Sequence, residues 1–139
     1  MTPDRDTSIR YLTVPEVIAI HQQAMRAMGW AAAPLRSEDL LFSAVMRAQA
    51  AAHYGGADFA MQASVLAIGI SQNQPFLDGN KRTALVSLLQ FATINGFAYV
   101  GDRFDIADQL IAVAEREGSL GEATEAFAAW LRERIVART

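Results

Sequence analysis

The sequence predicts an all-α protein, a compact bundle of about six helices around a central buried helix. Three observations carry that expectation. Hydrophobic residues make up 52% of the chain and charged residues 19%, enough apolar surface to offset the entropy of ordering one core. Much of the apolar content is Ala and Leu, which favour helix, while β-branched and aromatic residues are comparatively sparse. Helix start and stop signals recur along the whole length, with no repeat, linker or low-complexity segment. At 139 residues the chain reads as a single domain, 1–139.

The first helix opens at Thr13-Val14-Pro15-Glu16, a capping box with Pro in the first turn, where its missing N–H does no harm. It runs to about Met28, and Gly29 with Ala33-Pro34 breaks it. Ser37-Glu38-Asp39 starts a second helix with negative charge in its first turn. The third begins near Asp58 after Gly55-Gly56, ends near Ser71-Gln72-Asn73, and is apolar enough to be largely buried. The polar loop from Gln72 to Asn80 feeds a fourth helix, in which Ala84, Leu85, Leu88, Leu89, Ala92 and Ile94 are too continuous for a surface element, so it is placed at the centre of the core. Asn95-Gly96 stops it, and Phe97 to Val100 reads as one short strand. A fifth helix runs from about Asp105 to Glu117. Ser119 with Glu122 makes a second capping box for a last helix carrying Phe127, Trp130, Leu131 and Ile135.

Several function classes are disfavoured. A net charge of -3 gives no broad positive field for holding duplex nucleic acid, so no nucleic-acid partner is expected. There is no cysteine, which excludes disulfides and thiolate metal sites and fits a reducing compartment. Two histidines do not by themselves build a zinc centre. The charged start, Met1 to Asp6, precedes no apolar run of signal length, and no stretch approaches the ~20 residues that span a bilayer. A cytoplasmic protein with no membrane partner is expected.

The informative stretch is Gln74-Pro75-Phe76-Leu77-Asp78-Gly79-Asn80-Lys81-Arg82-Thr83-Ala84. A helix N-terminus already carries about half a positive charge, so Lys81 and Arg82 in the first turn oppose the macrodipole unless an anion sits there. Free N–H groups, a glycine that admits close backbone approach and two cationic side chains together suit phosphate. Asp78 points to a metal, because Mg²⁺ takes one or two carboxylates plus phosphate oxygens and water. The plainer reading of the same residues makes Asp78 or Asn80 an N-cap and leaves Lys81 and Arg82 as solvated surface. On local physics the two weigh about equally.

This stretch resembles the signature of the Fic/Doc family, His-x-Phe-x-Asp/Glu-Gly/Ala-Asn-Gly/Lys-Arg, and matches it from Phe76 to Arg82. Lys81, where Fic proteins have Gly, resembles the Doc branch, the death-on-curing toxins of bacterial toxin–antitoxin pairs. Similarity extends over Leu35-Arg36 through Leu41, the apolar helix before the loop and Asn95-Gly96. The resemblance implies a toxin that transfers phosphate from ATP or another nucleoside triphosphate to a hydroxyl of a translation factor. It also implies Mg²⁺ on Asp78, phosphate binding by backbone at Gly79, and a clamp on the nucleotide made by Asn80, Lys81 and Arg82. Phe76 would be a buried structural anchor. The partner it implies is an antitoxin whose tail folds as a helix into a groove, which Trp30, Ala31 to Ala33 and the face of the first helix could line, although core packing explains those residues equally well.

Gln74 departs from the pattern, since it occupies the position of the family's catalytic His, the general base. An amide orients a hydroxyl but takes up no proton near neutral pH, so the chain is expected to be inactive or slow. Three origins stand open: an inactivating substitution, a natural degenerate member, or a member using another base; the first is favoured. His21 and His53 are the only imidazoles and read as helix-face or packing residues. Arg36 reads equally as a substrate contact and as an exposed loop residue. The family's inhibitory pattern, Ser/Thr-x-x-x-Glu-Gly/Asn, is absent, because Val113 stands four residues before Glu117-Gly118. The rival activities are AMP transfer to a protein hydroxyl, as in the Fic branch, and a non-catalytic module that binds a nucleotide or a partner.

Overall fold

Capping chemistry sets the boundaries of most helices. In a computed structural model that describes residues 8–138, the helices are α1 (Val14–Ala27), α2 (Glu38–Gly55), α3 (Phe59–Asn73), α4 (Asn80–Ile94), α5 (Arg103–Ala114) and α6 (Leu120–Arg132), with short strands β1 (Phe97–Tyr99) and β2 (Ile135–Ala137). The charged stretch Met1 to Asp6 lies outside the described residues. Thr13 with Glu16 and Ser119 with Glu122 form reciprocal capping boxes on α1 and α6. Ser37, Asp58 and Asp102 cap α2, α3 and α5 through their side chains. α4 alone among the six starts at a glycine, Gly79, with no side-chain cap.

The all-α expectation holds, with corrections of detail. α5 starts at Arg103, two residues before Asp105, because the Asp102 carboxylate takes the Phe104 N–H at 2.9 Å. It ends at Ala114, short of Glu117, where the Arg116 guanidinium donates to the Val113 carbonyl at 2.9 Å and the chain turns towards Ser119. Ile135 lies outside the last helix, in β2, which pairs antiparallel with β1 in the register Phe97–Ala137, Ala98–Val136, Tyr99–Ile135. A three-residue strand is too short to carry a period, so only its distant partner reveals it.

The most enclosed helix is α3 rather than α4: ten of the 15 residues of α3 are buried, against seven of 15 in α4. α2, α4, α5 and α6 all pack on α3. α2 comes close because Gly69 faces Ala44, where an added Cβ would stand 3.2 Å from the Ala44 Cα. Leu66, Ile70, Leu88, Phe91, Phe127 and Leu131 fill the shared core. Phe59 stacks on Phe91 and Phe97 at 4.8 and 4.4 Å, which ties β1 to the bundle. Among the described residues no helix is long and apolar enough to cross a membrane. The loop between the two most buried helices, residues 74 to 79, therefore hangs from a rigid frame at both ends.

Candidate anion site at the start of α4

The loop leaves α3 through Gln74, the one non-glycine residue described with positive φ (50°, ψ 59°). A left-handed conformation costs a side-chain-bearing residue about 1–2 kcal/mol, so neighbours must hold it. Arg36 does so: its Nε donates to the Gln74 carbonyl and its Nη2 to the Asn73 carbonyl, both at 2.8 Å. Those carbonyls belong to the last turn of α3, where a helix lacks internal acceptor partners and a cation is favourable. The Asn73 side chain is tied in turn to the Leu40 carbonyl and to Arg47. The segment before α2 straps the loop: the N–H groups of Arg36 and Ser37 donate to the Pro75 carbonyl, and Leu77 N–H donates to the Pro34 carbonyl at 3.0 Å. Arg36 is thus a fastening of the loop, a role that neither sequence reading gave it.

Phe76 is 2% exposed and points into the bundle, where its ring lies parallel to that of His21 with centroids 3.7 Å apart and planes at 4°. His21, itself 1% exposed, places Nε2 at 2.9 Å from the Asp78 carbonyl oxygen. A carbonyl only accepts, so Nε2 carries the hydrogen. The Asn80 side chain bridges back across the loop, accepting from Phe76 N–H at 3.0 Å and donating to the Phe76 carbonyl at 2.8 Å. Gly79 has φ +83°, and a Cβ there would stand 2.6 Å from Met25 Sδ and 3.4 Å from His21 Nε2. Only glycine lets the backbone lie this close to α1 in that conformation.

What remains faces solvent. Asp78 accepts from Gly79 N–H through Oδ1 at 2.8 Å, which leaves Oδ2 free among the described residues. With Gly79 N–H so engaged, the open donors are the N–H groups of Asn80, Lys81 and Arg82, none of which has a protein acceptor among the described residues. Lys81 and Arg82 are exposed and form no ion pair among the described residues. These groups line a cleft of about 340 Å³ with Ser71, Gln74, Leu77, Asp78 and Gly79. The Ser71 hydroxyl is buried there without a hydrogen-bond partner. A neighbouring cleft of about 380 Å³ shares Lys81 and Arg82 and adds Arg103 and the exposed Phe104. A helix tip with three free N–H groups and two uncompensated cations attracts a polyanion.

Among the described residues no group of three or more His, Cys, Asp or Glu could hold a metal ion. Asp78 is therefore a lone carboxylate, which fits a cation that completes its shell with phosphate oxygens and water, as Mg²⁺ does, and does not fit an all-protein cage. Neither imidazole lines the cleft: His21 lies beneath the loop, and His53 lines another cavity with Tyr11, Met46 and Tyr54. His21 and Met25 carry no local sequence signal for the site, because α1 meets the loop only through tertiary packing, and Ser71 in the last turn of α3 reads as part of a helix end.

Comparison with known proteins gives one result that bears on this geometry. The sequence model of a family described as Fic/DOC matches residues 11–92, a span that contains α1 to most of α4 and the whole cleft-forming loop. No curated protein matches the chain.

Proposed function

The chain belongs to the Fic/DOC family, and from that premise we propose that it is a Doc-type toxin, moving the terminal phosphoryl group of a nucleoside triphosphate onto a hydroxyl of a translation factor in the cytoplasm. The family's enzymes transfer groups derived from nucleoside triphosphates to proteins, so the chain is a transferase by membership. The observation that carries the reading is the bare N-terminus of α4, where among the described residues the N–H groups of Asn80, Lys81 and Arg82 are free and the cations of Lys81 and Arg82 unpaired.

Phosphoryl transfer asks a protein mainly for positioning and charge neutralisation. Lys81 and Arg82 bring positive charge to the phosphate oxygens, and the backbone donors fix their direction. Asp78 Oδ2 would hold Mg²⁺, which supplies further neutralisation of the phosphates. Asn80 contributes its backbone N–H, because its amide is engaged with Phe76. The neighbouring cleft with Phe104 and Arg103 offers an apolar plate and a further cation for the rest of the nucleotide. Gln74, at the rim, orients the acceptor hydroxyl without removing its proton, so the chain turns over slowly.

Lys81, which lines the cleft where Fic proteins have glycine, would crowd the space in which inner phosphates would lie for AMP transfer, which favours phosphoryl transfer. Restoring the imidazole tests both. Gln74→His should raise the transfer rate by ~10²–10⁴-fold, the usual worth of a general base, and label should reach the target from γ-labelled ATP. Label arriving from the α position assigns AMP transfer instead. No transfer of either label, with no growth arrest on expression, leaves a non-catalytic binding module.

A partner with a helical tail fits a groove of about 670 Å³ lined by Tyr11, Val14 and Ile18 on one side and by Leu35, Phe42 and Met46 on the other. The exposed Phe42 and Met46 present apolar anchors spaced for an amphipathic helix. Trp30 and Ala31 to Ala33 stand outside this groove, so an antitoxin would meet α1, α2 and Leu35 rather than the segment from Trp30 to Ala33.

A further inference from the structure

We propose that His21 is the positioning residue of the cleft: from α1 it fixes the Asp78–Gly79 peptide plane, and through that plane the direction of the Asp78 carboxylate. In a trans peptide the carbonyl and the N–H point in opposite directions. His21 Nε2–H holds the Asp78 carbonyl at 2.9 Å, which turns the Gly79 N–H away from α1, where Asp78 Oδ1 takes it at 2.8 Å. One imidazole hydrogen thus orients one carboxylate, and leaves Oδ2 as the oxygen open to a cation. The ring meets two demands at once. Its face must lie flat on Phe76, at 3.7 Å and 4°, and its edge must carry a donor aimed at Asp78. Phenylalanine meets only the first demand and glutamine only the second. A histidine that merely fills the core needs neither in combination. The bare approach of Gly79 to Met25 and His21 completes the platform, since a side chain there would lift the loop away from the donor.

The inference rests on the functional reading only for the identity of the ligand, and two readouts keep the two apart. The first needs no ligand: amide hydrogen exchange at Gly79 in wild type, His21→Phe and His21→Gln. His21→Phe keeps a flat apolar ring, so its Tm stays close to wild type, yet exchange at Gly79 should quicken by about tenfold, the worth of one hydrogen bond. His21→Gln loses the stack and melts lower, yet keeps a donor and exchanges nearer the wild-type rate. The order of the two variants is thus opposite in Tm and in loop exchange. Unchanged exchange in His21→Phe, or exchange that follows Tm in both variants, overturns the proposal. Should His21→Phe not fold, His21→Gln decides alone: wild-type exchange at a lowered Tm supports the proposal, and loosening in step with Tm overturns it. The second readout is calorimetric titration with Mg·ATP, in which His21→Phe should bind about tenfold more weakly and His21→Gln less weakly than that. If wild type binds no Mg·ATP, the functional reading fails while the exchange result still judges His21.

Discussion

Reversing the charge at Arg82 should make the empty protein more stable and the nucleotide-bound protein less so. Arg82 is exposed, sits in the first turn of α4, and forms no ion pair among the described residues, so Arg82→Glu breaks nothing that holds the fold. A charge near a helix terminus is worth about 0.3–1 kcal/mol, and replacing an unfavourable cation with a favourable anion counts it twice, giving roughly 1 kcal/mol of stabilisation. For a domain of this size that raises Tm by about 3 °C. The same change removes a charge-assisted contact to phosphate worth about 1.5–3 kcal/mol, which weakens binding by ~10–150-fold. With nucleotide at 100 times its dissociation constant, the wild type gains about 2.7 kcal/mol, whereas a variant bound 100-fold more weakly gains about 0.4. Thermal melts with and without Mg·ATP should therefore cross, the variant melting higher alone and lower with ligand. A variant that melts lower without ligand, or shifts as far as wild type with it, refutes an electropositive tip held in tension for an anion.

Gly79→Ala should lower stability by about 2 kcal/mol, because φ +83° costs a side-chain-bearing residue about 1–2 kcal/mol and the new Cβ meets Met25 Sδ; chemical denaturation measures it, and a neutral result would mean that the loop has room to move. In a double-mutant cycle with Met25→Ala, which carries its own cavity cost because Met25 is buried, the coupling should return only the steric part, since the backbone strain stays. Asp58→Ala removes the cap of α3, bonded to Met61 N–H at 3.0 Å, and should cost about 1 kcal/mol, to which the half-exposed pair with Arg132 at 2.7 Å adds little. The hydrogen bond from Arg132 holds the Asp58 carboxyl below its ordinary range, so its ionic contribution is present above the unfolded carboxylate pKa and fades as pH falls through the lower folded value. The stability gap between wild type and Asp58→Ala should shrink below about pH 4, the ordinary aspartate range, and a gap that stays constant down to pH 2 removes the ionic part of the explanation.

The helical class and most helix ends were legible because caps are local: Thr13, Ser37, Asp58 and Ser119 each bond to N–H groups within three residues. Asp102 shares that chemistry through Phe104 N–H, and a start at Asp105 passes over it. β2 escaped because its pairing with β1 is distant in sequence and three residues long. The centre of the core went to α4 on its run of apolar residues, whereas α3 takes it through Gly69 and small alanines that let α2 approach. Smallness reads as weak hydrophobicity in a sequence, although in packing it admits a neighbour. The anion site was legible as chemistry, from cations set against a helix dipole. Its scaffold was not, since Arg36 and His21 reach the loop from elements whose proximity no spacing rule encodes.

That scaffold divides the signature into two sets of residues with different consequences. Phe76 and Asn80 close on each other and on His21, and Gly79 fits against Met25, so these positions make the loop. Gln74, Asp78 Oδ2, Lys81 and Arg82 line the cleft or face solvent, so these positions meet whatever binds. Losses at Phe76, Gly79 and Asn80 should therefore appear first in stability and only secondarily in affinity. Losses at Lys81 and Arg82 should leave stability intact or raise it. The motif is contiguous because one short loop must both brace itself against α1 and present the free end of α4. In such a loop residues with the two tasks are interspersed, so position within the signature predicts little about the effect of a substitution, whereas the direction of each polar group predicts it directly.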